Sequence, residues 1–452
     1  MGVRATARYG LVLGLVLPWC VAAGQVRPDT GAAAGLAQDT TLPYAAVLGI
    51  DAIVDRAQHY SPSVVGAYQS VRTGLSGQRV AYGNFLPAVT ANAAALQSNM
   101  RSDPGINNSC VVGVQCAAQS YGAGLAASYD VFTGFRRGAD LAAAKATTRS
   151  ADASLIEQRF GTMLVAKTTA YGVLRGRDLI RAALKNLATA QTSLTYTEAQ
   201  MRVGTATRSD LLASQLVVTT ARQQLIASRD TLTTYAYGLG RLVGIDGAVG
   251  VQGDSLPDST LALSDSAIIE LAVHAGPSVL AADEAAQAND ALVRAARSEY
   301  APDIKLTGGY TWANQSYTFG AAHEGWSVQL GTSFPLFNGF QREDDVTRAS
   351  AAAITARAQA ADTRRFARSE AERLLADVHF AAQNVAEAQE AVRVADEGLR
   401  VTTVRFRNGV STYLDLNTAE TNSVNADVGL VTARYNYQIA RASLEALLGR
   451  NL

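Results

Sequence analysis

Arg405-Phe406-Arg407-Asn408-Gly409-Val410-Ser411-Thr412-Tyr413-Leu414-Asp415 stands 205 residues after Gln200-Met201-Arg202-Val203-Gly204-Thr205-Ala206-Thr207-Arg208-Ser209-Asp210, with glycine and aspartate in the same register. The shift runs on without slippage through Leu211/Leu416, Leu242/Leu447 and Gly244/Gly449, and back to Phe132/Phe337, Gly134/Gly339 and Phe135/Phe340. Nearer the N-terminus it changes: His59, Pro62, Ser63 and Val64 recur 215 residues on as His274, Pro277, Ser278 and Val279. A register kept over so long a stretch means two copies of one large unit. The change of shift places an insertion in copy one, between Pro87 and Phe132.

Working outward from the glycines, each copy reads as a long helix, a tight turn and a return helix. No proline occurs from Gly105 to Leu256 or from Leu336 to the end, so nothing interrupts a long helix there. The pattern predicts helices from about Gly138 to Arg202 and Glu343 to Arg407, each roughly 100 Å long at about 1.5 Å per residue. Gly204 and Gly409 supply the turns. The return helices run to about Val243 and Leu448. Their core stripes are heptads: Leu211, Val218, Leu225, Leu232, Leu239, and Leu416, Ser423, Leu430, Tyr437, Leu444. A row of alanines three residues on (Ala419, Ala426, Ala433, Ala440) suits close coiled-coil packing. Each copy opens with a further amphipathic helix, about Ala46 to Asn84 and Asp265 to Tyr300, interrupted at Pro62 and Pro277.

Between these helices the period becomes two. Trp326, Val328, Leu330 and Phe334 alternate with Ser327, Gln329, Gly331 and Ser333. Ile304, Leu306, Tyr310 and Trp312 alternate with Lys305, Thr307, Gly309 and Thr311, and Tyr121, Ala123, Leu125 and Tyr129 with Gly122, Gly124, Ala126 and Ser128. A weaker, alanine-rich strand spans Val89 to Gln97. The face opposite the apolar residues is glycine, serine and threonine rather than charge. That fits a membrane hairpin better than a half-buried soluble sheet, and strands of about ten residues cross a bilayer when tilted. The joining loops run about Ser98 to Ser120 and Ala313 to Gly325. Trp312 and Trp326 stand at the loop-side ends, as an aromatic girdle requires.

Charge and composition narrow the function. The 452-residue chain has formal net charge +0 and 48% hydrophobic residues, so it is not a general nucleic-acid binder. Arg4 and Arg8, the apolar stretch Leu11 to Ala23 and Ala22-Ala23-Gly24 have the layout of an export signal cleaved after residue 24; a buried N-terminal helix is the alternative. Cys110 and Cys116 then remain, in the polar insertion of copy one. A disulfide suits an exported chain, with two free thiols as the alternative. The expected organisation is signal 1–24, first repeat 25–244 (strands about 88–132, helices about 138–244), linker 245–263, and second repeat 264–452 (strands about 303–337, helices about 343–449).

An export signal, a duplicated helix–hairpin–long helix–return helix unit and glycine tips resemble the TolC-type outer-membrane channel family. The segment Arg405 to Asp415 is the most specific match. The resemblance implies a mainly α fold with a membrane β-hairpin pair. It implies a homotrimer in which four strands per protomer close a twelve-stranded barrel in outer-membrane lipid, over a periplasmic tunnel of twelve helices. It also implies two partners, a periplasmic adaptor and an inner-membrane pump of RND or ABC type. Asp415 matches an entrance-lining position where three carboxylates would face one another and raise their pKa values; Asp210 is its repeat counterpart. The family's second entrance acid falls on Thr418, and its closing aromatic and arginine on Phe406 and Ser411. The tips Arg202, Val203, Gly204, Thr205 and Arg407, Asn408, Gly409, Val410 become adaptor-contact candidates. Two plainer roles stand beside these: acids that follow Ser209 or Thr412 also suit helix N-termini, and a glycine beside arginine also caps a helix end.

Catalysis finds no support. His59, His274, His323 and His379 are scattered, and no metalloprotease, nucleophile-elbow or P-loop motif occurs. No cofactor or metal set is expected. The rival reading is a periplasmic coiled-coil structural or adaptor protein without a pore.

Overall fold

The structure, a computed structural model, describes residues 43–100, 116–253, 263–314 and 323–452. The export signal and Cys110 lie outside the described residues, and so does any Cys110–Cys116 bond. The elements form one unit from Tyr44 to Leu452. In chain order they are β1 (Ala46–Leu48), α1 (Ile50–Tyr60), α2 (Pro62–Gly83), β2 (Ala88–Met100), β3 (Cys116–Thr133), α3 (Arg136–Arg202), α4 (Arg208–Val243), β4 (Val249–Val251), α5 (Asp265–Ala275), α6 (Pro277–Arg297), β5 (Asp303–Asn314), β6 (His323–Ser333), α7 (Gln341–Arg407) and α8 (Tyr413–Leu448).

The repeat is exact in length where it matters. Helices α3 and α7 have 67 residues each, α4 and α8 have 36. The same local chemistry sets their ends. Thr207 and Thr412 form capping boxes with Asp210 and Asp415, and left-handed Gly244 and Gly449 close the return helices. Pro62 and Pro277 start α2 and α6, where a missing N–H costs nothing.

Helix α3 packs against α4, α2, α6 and α8, while α7 packs against α8, α6 and α5. So α8 lies between the two long helices, and α4 rests chiefly on α3. The expected heptad of α4 is the buried one: Val218, Leu225, Leu232 and Leu239 are 7% exposed or less. Small residues let α3 and α4 approach: a Cβ on Gly172 would sit 2.3 Å from the Tyr235 ring, and one on Gly176 3.0 Å from the Leu232 Cα. The lower part of α7 has no buried residue between Val378 and Phe406.

The four long strands form one antiparallel sheet in the order β2-β3-β5-β6. Its register aligns the alternating patterns. Ala91, Leu125, Tyr310 and Trp326 form one cross-strand row, and Ala88, Ser128, Thr307 and Gln329 form another on the opposite face. One face is thus apolar and the other small and polar, with a register irregularity between Asp130 and Phe132. Among the described residues, each of β2 and β6 has a strand on one side only.

Two expectations change. The first amphipathic segment does not begin as helix at Ala46: β1 pairs in parallel with β4, inside the expected linker 245–263. Three-residue strands carry too little periodicity to be seen, and their partner is some two hundred residues away. The strands also run further into the first hairpin than expected, to Met100 and from Cys116, because backbone pairing continues where the apolar alternation has faded.

Close packing of α3 on α4 makes a test. Gly172→Ala should destabilise the chain by about 1–3 kcal/mol through overpacking. Gly238→Ala, where a Cβ meets nothing within 4 Å, should stabilise it by up to about 1 kcal/mol. Chemical denaturation of the two variants should show opposite signs; a matching sign would contradict the packing described.

Candidate functional site

The two helical-hairpin tips form the candidate site. At each, the long helix ends in a pair of bonds that use the last free carbonyls: Gly204 N–H to Met201 O (3.1 Å) with Thr205 N–H to Gln200 O (2.9 Å), and Gly409 N–H to Phe406 O (3.0 Å) with Val410 N–H to Arg405 O (2.9 Å). This turn needs a left-handed residue, and Gly204 and Gly409 supply it at φ 78° and 72°. Around the glycines lie exposed apolar side chains: Val203 is 75% exposed, Val410 66% and Leu414 70%. Arg202 and Asn408 donate back to their own helices, to Glu198 O and Val404 O. Arg407 instead lies 4.3 Å over the Tyr196 ring of the other hairpin. Thr205 is tied to Gln200 O (3.1 Å).

Asp210 and Asp415, the two acids expected at the entrance, are capping residues. The Asp210 Oδ2 accepts from the Thr207 N–H (2.9 Å) and hydroxyl (2.7 Å). The Asp415 Oδ2 accepts from the Thr412 N–H (2.9 Å) and hydroxyl (2.8 Å), and from the Ser411 hydroxyl (2.9 Å). These bonds, first of all the one from the Thr412 backbone, hold the Asp415 carboxyl below its ordinary value, with Arg405 assisting. Within one chain the direction is therefore opposite to that expected of a carboxylate ring. All these bonds fall on Oδ2, and Oδ1 takes no part in either cap. Asp415 and Thr418 line an open groove of about 940 Å³ between α7 and α8, floored by small residues such as Ala395, Gly398 and Ala419.

Phe406 is not a surface residue. It is 3% exposed and packs with Tyr413 and Leu416, against Tyr196 and Ala213 of the other hairpin. Any part it plays in closure acts through holding the tips together. The Gln200 side chain also crosses to Phe406 O (2.9 Å). The buried Tyr413 hydroxyl is pushed up to about 12 by burial, then by Glu420 and Asp210.

Above the tips runs a feature the sequence reading missed, a polar seam where α8 meets α3. From top to bottom its rungs are Lys167–Glu445, Asp178–Tyr435 (2.7 Å), Lys185–Asp427 (2.9 Å) and Ser193–Glu420. Residue numbers rise on α3 as they fall on α8, so the helices are antiparallel in one continuous register. Lys185 also reaches Asp396 (3.3 Å), which accepts from the Ser423 hydroxyl (2.9 Å), tying in α7. Glu420 is 4% exposed. Burial raises its pKa and the Ser193 hydrogen bond only partly opposes this. The signal was present in the sequence as broken symmetry: Glu420, Asp427, Tyr435 and Glu445 stand where copy one has Gln215, Arg222, Asp230 and Gly240. Among the described residues no three His, Cys, Asp or Glu side chains gather to hold a metal, and no helix is long and apolar enough to cross a membrane.

The chain is similar to known proteins in sequence and in fold. The sequence model of a family described as "Outer membrane efflux protein" matches residues 53–245 and 268–450. The pyoverdine export outer membrane protein OpmQ of Pseudomonas putida is 25% identical over 303 residues, 64% of this chain and 62% of that protein. Outer membrane protein OprJ of Pseudomonas aeruginosa is 27% identical over 179 residues, 38% of this chain and 36% of OprJ. These matches thus span less than two thirds of either relative. A crystal structure of CusC superposes with a TM-score of 0.78 at 18% identity, covering 89% of this chain and 92% of that one; it shows the same fold.

The buried carboxyl gives a signed pH prediction. A folded-state pKa raised above the ordinary 4.5 means that Glu420 supports the fold fully below that value and loses its support as pH rises through the folded pKa. Glu420→Gln should therefore match the parent chain near pH 4 and exceed its thermal midpoint at pH 8. A variant that is less stable than the parent at pH 8 would contradict a raised pKa at the buried Glu420.

Proposed function

Because the chain belongs to the outer membrane efflux protein family, we propose that it is the outer-membrane exit duct of a tripartite efflux or type I secretion system. It passes substrates from an inner-membrane transporter across the periplasm and outer membrane. The observation that carries this reading is the sheet. It has an apolar face, a small polar face and two unpaired edges at β2 and β6. In lipid an open edge leaves backbone groups without partners, and only closure removes it.

Copies of the chain provide the closure. A head-to-tail contact of β6 with the next copy's β2 generates a ring, and three copies make twelve strands. The same contact covers the exposed apolar side chains of the edge helices, such as Leu212, Leu216 and Ile226 on α4 and Val394, Val401 and Val404 on α7. Below the barrel the 67-residue helices continue as a tunnel roughly 100 Å long. In this reading residues 1–24 are the export signal, 25–244 and 264–452 the repeats, 245–263 their linker, and Cys110–Cys116 a staple on the external loop.

The tips are the working end. Asp415, Thr418 and Asp210 line the entrance, where threefold repetition sets carboxylates against one another and opposes the lowering that the cap gives Asp415. The exposed glycine turns, with Val203 and Val410, meet the periplasmic adaptor. The family is one of channel components rather than enzymes, so an RND- or ABC-type pump supplies the energy.

Fractionation is the test. The chain should appear in the outer membrane as a trimer that resists detergent until heated and conducts ions in planar bilayers. A soluble periplasmic monomer would overturn the proposal in favour of a coiled-coil structural protein. A chain carrying Gly204→Leu and Gly409→Leu should still form the trimer and lose export; retained export would remove the tips from adaptor docking.

A further inference from the structure

The duplication supplies an internal control for what a junction of the sheet requires. Strands β3 and β5 join the two hairpins within one chain. Carried through the repeat, with Pro87 matching Pro302 and Phe132 matching Phe337, that junction becomes β6 against the next copy's β2. The two differ in charge. Asp130, Lys305 and Asp303 stand at the first, and their counterparts at the second are Pro335, Thr90 and Ala88. Arg136, at the start of α3, has Gln341 as its counterpart. Neutral residues serve at the equivalent junction, so pairing the strands does not call for these charges.

Their placement is equally particular. Asp130 and Lys305 are direct cross-strand partners, and Asp303 lies two residues from Lys305 on the same face, opposite Thr133 and Ser333. This is the helix-side end of the small polar face. Further along, that face carries Ser128, Thr307 and Gln329, then Ala126, Gly309 and Ser327, with no charge. The remaining acid of the strands, Glu324, accepts from the Tyr310 hydroxyl (2.8 Å) on the other face. Asp130, Asp303 and Lys305 are all exposed, and among the described residues their side chains make no hydrogen bond or ion pair. They are not staples. Two charges beside them are occupied: Arg136 pairs with Asp140 (3.8 Å), and Arg137 lies over the Phe85 (5.0 Å) and Tyr129 (5.6 Å) rings. The three free groups, with Arg136 and Asp140, line a recess of about 750 Å³ where the sheet meets α3.

We propose that Asp130, Asp303 and Lys305 form a charged band on the lumen wall, at the foot of the barrel, that sets which small ions pass. The proposal rests on the duct reading, in which the polar face lines the water-filled pore. Rings of acidic side chains favour cations and rings of basic ones favour anions. Here two acids stand against one base, so each copy contributes one net negative charge and the ring favours cations. The band lies at the far end of the long helices from the tips and acts independently of the entrance acids. Its pattern is threefold, charged at the junction inside each copy and neutral at the junction between copies. Its reach is set by salt: the screening length is about 30 Å at 0.01 M and about 3 Å at 1 M.

Reversal potentials of the full-length chain in planar bilayers test this, under potassium chloride gradients of about 0.01 M and again of about 1 M. In dilute salt, Asp130→Asn with Asp303→Asn should shift the potential toward anion preference, and Lys305→Gln should shift it the opposite way. Ala88→Asp, which puts an acid at the neutral junction, should move it in the same direction as Lys305→Gln. All three shifts should shrink in concentrated salt. The entrance acids are the same in every chain, so they do not generate shifts of opposite sign. Pores of parental conductance whose potentials stay put, or all move one way, overturn the band. If the double variant forms no pore, the other two decide by the same signs. If the parent chain itself forms no pore, the duct reading fails and the band with it.

Discussion

The unpaired backbone along the outer edges of β2 and β6 is the constraint on which the rest of the molecule depends. An isolated four-stranded sheet exposes donors and acceptors on both sides, and among the described residues nothing covers its apolar face. Closure by further copies answers both problems, and it dictates the helices. A ring of sheets requires a ring of supports, so each half of the sheet stands on a hairpin of identical length. Duplication delivers this: two helices of 67 residues and two of 36, the return helices capped by threonine at one end and glycine at the other in both copies. The insertion in copy one falls in the first strand–strand loop, which no closure condition governs.

Symmetry is kept in the walls and broken at the seam. Helix α4 rests chiefly on α3, so one apolar stripe serves it. Helix α8 lies between α3 and α7 and has two covered faces, and the second is polar. Its rungs carry charge or a buried carboxyl, and buried polar pairs tolerate mismatch poorly. They fix the register of one hairpin against the other more firmly than apolar contact alone. The tips then hang from a defined framework, with Phe406, Tyr413 and the Gln200 bond joining them.

Much of this was legible in the sequence, for identifiable reasons. Glycine at a helix end, threonine before an acid and strict alternation in strands are local signals, and the structure uses them at Gly204, Gly409, Thr412 and β6; before Asp210 the cap is Thr207 rather than the expected Ser209. What escaped was non-local or a single-residue departure. The β1–β4 pair needs a partner two hundred residues away. The seam shows only when Glu420 or Asp427 is set against its repeat counterpart. Phe406 reads by resemblance as an entrance residue, and nothing local announces that Tyr196 and Ala213 cover it.

The central claim is that β2 of one copy pairs with β6 of the next. Cysteines on outward positions of β2 (Val89, Ala91, Ala93) combined with cysteines on outward positions of β6 (Trp326, Val328, Leu330), in chains whose native cysteines are serine, test it directly. Oxidation should produce covalent dimers and trimers for a subset of combinations that follows one antiparallel register. Cross-links confined to monomers, or spread over all combinations without register, would contradict it.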